Sequence, residues 1–325
     1  MPITAAEIAK MCNVSRTTVD RALKNKPGIS AETRERICAL AKQYDYRPNY
    51  LASALSTGAT KTIGVIVFDL FNEHFAQMID GIERFFSNVG LHTYICSSHK
   101  DKAKEKELIQ RLVERKVDGI LMVPINDSPA FSEYLRGLDT PVICLSNRLP
   151  GLPYVSGDNF GGVYQGMELL YARGFRQVYF VCPPLCYQNE NIYAQKRRAE
   201  GYRCFMNEHG DLSGEIITQK DYPAAAIDII RTSAQKPAFF CSSDLFMLGI
   251  RKAILDQGMD INECCALMGV DGLWMLDYLT SRPPTVIYPA DQIGEAAARM
   301  LYKCIHGKPV EEEIIIPCAI HDGYM

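Results

Sequence analysis

ITAAEIAKMCNVSRTTVDRALKNKPGISAETRERICALAKQYDYRPN, residues 3–49, carries three short apolar stripes separated by turn signals. Thr4 stands three residues before Glu7, the spacing of a capping box, and Ile8, Ala9, Met11 and Cys12 follow as the first stripe. Asn13-Val14-Ser15 breaks that stripe. Asparagine tolerates the left-handed conformation, and a serine after it is placed to cap a second helix. The second helix is predicted over Arg16 to Leu23, with Val19, Ala22 and Leu23 inward. Lys24-Asn25-Lys26-Pro27-Gly28 predicts a loop. Ser30 caps a third helix with Thr33, Ile37, Leu40 and Ala41 inward. Three tight helices with a three-residue turn between the first two make a helix-turn-helix layout.

In that layout the second helix enters the major groove of DNA by its N-terminal end. Ser15, Arg16, Thr17 and Thr18 are therefore expected to face DNA, with Arg16 suited to a bidentate guanine contact and Arg21 one turn further on. A solvated amphipathic helix is the plainer alternative. Charge favours the DNA reading. The 325-residue chain has a net charge of −3, yet residues 1–60 hold nine basic against five acidic side chains, a surplus of four that leaves −7 for the rest. A basic head on an acidic body presents one end to phosphates. Apolar residues make up 47% and charged residues 22%, a globular composition. No apolar run approaches the ~18 residues of a membrane span, and the N-terminus has no signal-like apolar segment, so a cytoplasmic protein is expected. The twelve cysteines sit mostly in apolar strings and match no paired zinc spacing, which predicts buried thiols and no metal.

From Thr62 the period changes. Ile63 to Phe68 is a continuous apolar run of the kind found in buried parallel strands. Apolar residues at helical spacing follow through Phe86, and strands are predicted at Leu91–Cys96, Gly119–Val123 and Pro141–Leu145, with a helix from Lys104 to Arg115. The alternation resumes after Gly161: a helix to Ala172, a strand Val178–Cys182, a helix through Tyr202, a strand Ala238–Cys241, a helix to Gln257 and a strand Ala266–Val270. Two such blocks predict two doubly wound α/β lobes. Ligands in these sheets bind beyond the carboxyl ends of the strands. The expected pocket residues are therefore Phe71, Asn72, His74 and Phe75 after the first strand, Asn147 and Arg148 after the fourth, and Asp158 where the chain crosses between lobes. From the second block come Asn191, Tyr222, Ser243, Asp244 and Asp271. Amides, carboxylates and aromatic faces converging from both lobes suit a polyhydroxylated ring. Each has a plainer reading: Asp158 as a helix cap, Phe71 and Phe75 as core, Asp271 as a loop tie, His74 as an ordinary polar neighbour.

The ordered elements NVS, TTVDRAL, KPGIS, TR-x-x-I and YRPN resemble the DNA-binding head of the LacI/GalR family. SGDNFGGVYQGMELL (156–170), SSDLFMLGI (242–250) and GVDGL (269–273) resemble that family's effector-binding body, so the likeness spans essentially the whole chain. It implies a helix-turn-helix head over 1–47, a hinge helix over 48–59, and a periplasmic-binding-protein-like body over 60–325. Lobe 1 is expected at about 60–157 plus 290–317, and lobe 2 at about 158–289 plus the C-terminal tail. It also implies that Leu55 wedges into the minor groove and that Arg198, three before Gly201, reaches the effector. Thr4, Asn25, Tyr46, Asn49 and Ala52 complete the expected DNA-facing set. Asp20 stands where the family usually has serine, and Tyr288-Pro289 where glutamine-proline is common.

The expected function is a transcription regulator, a repressor, whose affinity for a near-palindromic operator depends on a small molecule, a sugar or sugar derivative. The expected assembly is a homodimer, with no cofactor besides the effector. Two alternatives share parts of this sequence: a thiol-responsive regulator, and a carbohydrate-binding protein without a regulatory role. An enzyme is disfavoured because no GxSxG, HExxH, P-loop or GxGxxG string occurs.

Overall fold

The computed structural model describes residues 3–47, 58–186 and 190–323. Contacts divide the chain into two compact units, Met1–Thr60 and Lys61–Met325. The expected hinge residues Asn49, Ala52 and Leu55 lie outside the described residues.

The first unit holds helices α1 (Ala5–Met11), α2 (Arg16–Leu23) and α3 (Ala31–Gln43). Local chemistry sets their ends. The Thr4 backbone N–H donates to Glu7 Oε2 at 2.7 Å while the Glu7 N–H donates to Thr4 Oγ1 at 3.3 Å, the reciprocal capping box. Asn13 adopts φ 51°, the left-handed turn between α1 and α2. Ser15 and Ser30 accept from the N–H groups of Thr18 and Thr33 and cap α2 and α3. Ile8, Val19 and Ile37 meet with no exposure at the centre, and Cys12 packs beside them as a small hydrophobe. Met11, expected inward, is half exposed, because Cys12 and Val14 close that side of the core in its place.

The second unit contains two six-stranded sheets. The first, in order β11-β5-β4-β3-β1-β2, is wholly parallel: β1 (Thr62–Val67), β2 (His92–Ser97), β3 (Gly119–Met122), β4 (Val142–Leu145), β5 (Tyr154–Gly157) and β11 (Glu313–Ile316). The second, β12-β10-β9-β8-β6-β7, is parallel except for its last strand: β6 (Val178–Val181), β7 (Ile216–Ile217), β8 (Ala238–Cys241), β9 (Ala266–Asp271), β10 (Thr285–Ile287) and antiparallel β12 (Ala319–His321). Helices cover both faces, as continuous apolar strands require. In each lobe the strand order reverses beside the first strand, so a crevice opens at the carboxyl ends of β1 and β6.

The chain crosses between lobes three times: from β5 into α7 (Asn159–Ala172), from β10 into α12 (Ala290–Ile305), and from β11 to β12. Helix α4 (Glu73–Asn88) packs tightly on α12; a Cβ at Gly81 would meet the Asp291 carbonyl at 2.0 Å, so glycine lets the helices touch. Boundary differences from the sequence reading are local. The helix expected from Lys104 begins at Lys102 because Asp101 caps it through the N–H groups of Ala103 and Lys104. Cys144, Cys182, Cys241 and Cys265 are buried among apolar neighbours, and the twelve cysteines form no disulfide among the described residues.

Candidate functional site

The head presents Arg16 and Thr17 exposed at the start of α2, where a groove-entering helix needs them. Other expected DNA-facing groups have work inside the head. Thr18 shares its hydroxyl with Ser15 at 2.8 Å, and the Thr4 hydroxyl donates to Glu7 at 2.8 Å. Arg21 donates to the Pro27 carbonyl at 2.7 Å and so ties down the α2–α3 loop. Asn25 adopts φ 52° and accepts from Arg34, which also holds the Lys26 carbonyl. Tyr46 packs half-buried against the small core. Thr4, Thr18, Arg21, Asn25 and Tyr46 thus each hold part of the head together, a structural role beside the expected DNA contact. Asp20, the acid beside the reading face, is paired with Lys24 at 2.8 Å, which offsets its repulsion toward phosphate.

In the body the crevice is organised by Arg198 on α8 (Tyr193–Glu208). Its side chain is buried. Nε donates to Asn159 Oδ1 at 2.7 Å, Nη1 donates to the Ser242 carbonyl and lies 3.7 Å from Asp271 Oδ1, and the guanidinium sits 5.0 Å over the Tyr288 ring. Tyr288 is the hub of the crossings: its hydroxyl accepts from the Gly157 N–H at 3.0 Å and bonds Ser156 Oγ at 3.0 Å. Asn159 donates to Ser156 Oγ at 3.1 Å and closes the network. His74 packs its ring 5.0 Å from that of Tyr288, and its Nδ1 has no protein partner among the described residues. Burial, with Arg198 nearby, pushes its imidazole down to about 3, so it is neutral.

Asp271 ends β9 at φ 117°, a strained conformation for a non-glycine residue. Asp244 holds it there. That carboxylate is fully buried and accepts from the N–H groups of Gly272 (2.8 Å) and Leu273 (2.9 Å) and from Thr285 Oγ1 (2.7 Å). Asp244, expected as a ligand group, is therefore a loop tie. Asn147 and Asn191 are likewise corrected: Asn147 Nδ2 donates to the carbonyls of Pro124 (3.1 Å) and Asn191 (2.9 Å), and Asn191 Nδ2 donates to the Arg148 carbonyl (2.9 Å). They clasp the two lobes. Asp158 and Ser243 cap α7 and α10 (Asp244–Asp256), and Asn72 caps α4. Tyr222 packs on Phe246 with ring centroids 4.9 Å apart, away from the crevice. Phe75 is core, Phe71 is 98% exposed, and the Arg148 side chain is exposed.

Glu73 was missed by the sequence reading, although its neighbours were named. Its Oε1 accepts from the Trp274 N–H of the opposite lobe at 3.4 Å and from Gln77 at 2.7 Å, while Oε2 is buried without a protein partner. Ser98, Ser146 and Ser242, which follow β2, β4 and β8, also bury hydroxyls without one. A separate cavity of about 90 Å³ is lined by Tyr154, Asp158, Asn159, Tyr193, Arg197 and Glu313 among others.

Burial, with Asp244 and Glu73 adding to it against the pull of Arg198, pushes the Asp271 carboxyl from 3.8 up to about 8. A raised folded value means the native state binds the proton more readily, so stability falls as pH rises through that range. Asp244, pushed up to about 6, acts in the same sense at lower pH. His74, depressed from 6.5 to about 3, opposes both, since stability rises with pH until its ordinary value is passed. Above that point Asp271 alone of the three still titrates. Between pH ~6.5 and ~8 the unfolding free energy of the wild type should fall by up to about 2 kcal/mol relative to Asp271→Asn. Urea titrations at the two pH values check this; parallel curves contradict it.

A three-helix DNA-reading head joined to a two-lobed α/β body with a polar crevice defines a ligand-binding transcription regulator. Residues 60–322 match the family "Periplasmic binding proteins and sugar binding domain of LacI family", and residues 4–49 match "Bacterial regulatory proteins, lacI family". The chain belongs to this family and is a DNA-binding transcription regulator. It is 26% identical over 320 residues to the HTH-type transcriptional regulator RegA of Clostridium saccharobutylicum, covering 96% of this chain and 95% of that one. Its fold is that of a lac repressor dimer bound to operator and the anti-inducer ONPF, with a TM-score of 0.85, 20% identity and coverage of 99% and 98% of the two chains. The transcriptional regulator CelR in complex with cellobiose aligns with a TM-score of 0.69 and 22% identity over 99% of both chains.

Proposed function

We propose that this regulator is a repressor that binds its operator as a homodimer and releases or grips it according to a sugar held between Arg198, Asp271 and the serines at the strand ends. The observation that carries this reading is the set of buried polar groups without protein partners, His74 Nδ1 and the hydroxyls of Ser146 and Ser242, gathered at the carboxyl ends of the strands. Buried polar groups are otherwise almost always paired, and a ring bearing hydroxyls supplies the missing partners. That CelR, a regulator of similar fold, was solved with cellobiose supports a sugar as the ligand class. Glu73 and the Trp274 N–H meet across the lobes, so a ligand that strengthens or breaks that contact shifts closure. Coupling of ~1–3 kcal/mol changes operator affinity several-fold to about a hundredfold. The site needs no cofactor and has no assigned catalytic role. A protein that regulates transcription on DNA acts in the cytoplasm of a bacterial cell.

The test is a thermal-shift screen of the purified chain against neutral and derivatised monosaccharides and disaccharides. A ligand at ~100 times its dissociation constant stabilises by roughly 2.7 kcal/mol. A shift lost in Asp271→Ala supports the reading. A panel without any shift, alongside stabilisation by nucleosides or by thiol oxidation, overturns it.

A further inference from the structure

The crevice has a charge imbalance that a neutral sugar leaves in place. Glu73 approaches from lobe 1 and Asp271 from lobe 2, where Glu73 already reaches the Trp274 N–H three residues beyond Asp271. One guanidinium, Arg198, serves this pair, and it stands 3.7 Å from Asp271. Its N–H groups are also spent on Asn159 and the Ser242 carbonyl. The contact of the Asp271 carboxylate with Arg198 is long, at 3.7 Å, and Glu73 Oε2 is buried without a donor among the described residues. His74, 8% exposed, buries an unpartnered ring nitrogen and packs on Tyr288, the ring that also lies under Arg198. Asp244 adds a third carboxylate, already satisfied by its three donors.

We propose that the effector carries a primary ammonium group, as an amino sugar does, and that this group seats between Glu73 and Asp271. The proposal rests on the sugar reading above and narrows it. A hydroxyl donates one hydrogen bond but leaves the surplus negative charge buried; an ammonium donates three and cancels it. A metal ion is a poorer occupant, since no group of three or more potential metal-ligating side chains occurs among the described residues. Without the cation, Asp271 relieves the imbalance by keeping its proton, consistent with its value near 8. When the ammonium enters, that proton leaves for solvent and Asp271 becomes a carboxylate. Neutral His74 offers a lone pair to one ammonium hydrogen, and the Ser146 and Ser242 hydroxyls remain for the ring.

Calorimetry of the full-length protein near pH 7 tests this with matched pairs: D-glucosamine and D-glucose, D-galactosamine and D-galactose, D-mannosamine and D-mannose, each with the N-acetylated form. In at least one pair the amine should bind more than about tenfold tighter than both its hydroxyl and its N-acetyl counterpart. Glu73→Gln, which keeps an acceptor for Gln77 and Trp274, should collapse that ratio to within about threefold. Neutral sugars binding as tightly as their amines, or a ratio unchanged in Glu73→Gln, overturns the ammonium proposal while leaving the sugar reading intact. Failure of every pair, with binding of a ligand from another class, overturns both.

Discussion

Asp244→Ala is expected to destabilise the effector unit by about 3–5 kcal/mol, the summed cost of leaving three donors without their acceptor. The alanine leaves the N–H groups of Gly272 and Leu273 and the Thr285 hydroxyl without their acceptor in a site with no water-facing surface. It also frees the turn that forces Asp271 to φ 117°. Relaxation of that strain draws the Asp271 carboxylate away from Arg198, so ligand affinity falls together with stability. The chain has one tryptophan, Trp274, immediately past this turn. Its fluorescence follows urea unfolding of the lobe that holds it, and the head is a separate compact unit, so a whole-chain two-state fit is unsafe. Asp244→Asn retains an acceptor oxygen and should lose roughly half as much. An alanine variant within about 1 kcal/mol of wild type contradicts the assignment of Asp244 as the tie.

Arg198→Ala should abolish measurable effector binding and cost about 3 kcal/mol of stability, as two buried acceptors lose their charged donor. The Asp271 carboxyl adds little to that loss. It stands near 8 and already holds its proton near neutral pH, and removing the guanidinium that pulls it down raises it further. The proton is then harder to release when a ligand needs the carboxylate. The variant also strips Asn159 and the Ser242 carbonyl of a donor and uncovers one face of Tyr288. Lysine at this position provides charge without the fork that serves Asn159, Ser242 and Asp271 together, so Arg198→Lys should restore little. Calorimetry with a ligand found for the wild type checks both variants; a lysine variant that binds normally places the guanidinium's role in charge alone.

The head was legible because its determinants are local. Capping at Thr4, Ser15 and Ser30 and the left-handed Asn13 are set by neighbours within three residues. The structural roles of Arg21 and Tyr46 were not legible, because the Pro27 carbonyl and the core that engage them are set by the packing of the three helices. In the body, strand–helix alternation gave both lobes, and the rule that ligands sit past strand ends pointed to the region where buried polar groups lack protein partners. It did not separate side chains that face a ligand from those that hold the crevice. Asp244, Asn147 and Asn191 stand in the right places, yet their hydrogen bonds are spent on loops and on the opposite lobe. Tyr288 read as an irregularity and is the residue through which the crossings communicate. Glu73 was hidden as the first residue of an ordinary helix; an acidic residue beside a buried histidine at a strand end was the signal available for it.

The most direct test is the affinity of the full-length protein for an operator selected from random DNA, measured by anisotropy at one fixed salt concentration with and without a saturating crevice ligand. The account predicts a selected site with two related half-sites and an operator affinity that the ligand changes by about fivefold or more, a change absent in Arg198→Ala. Equal operator affinity with and without a ligand that demonstrably fills the crevice would contradict it.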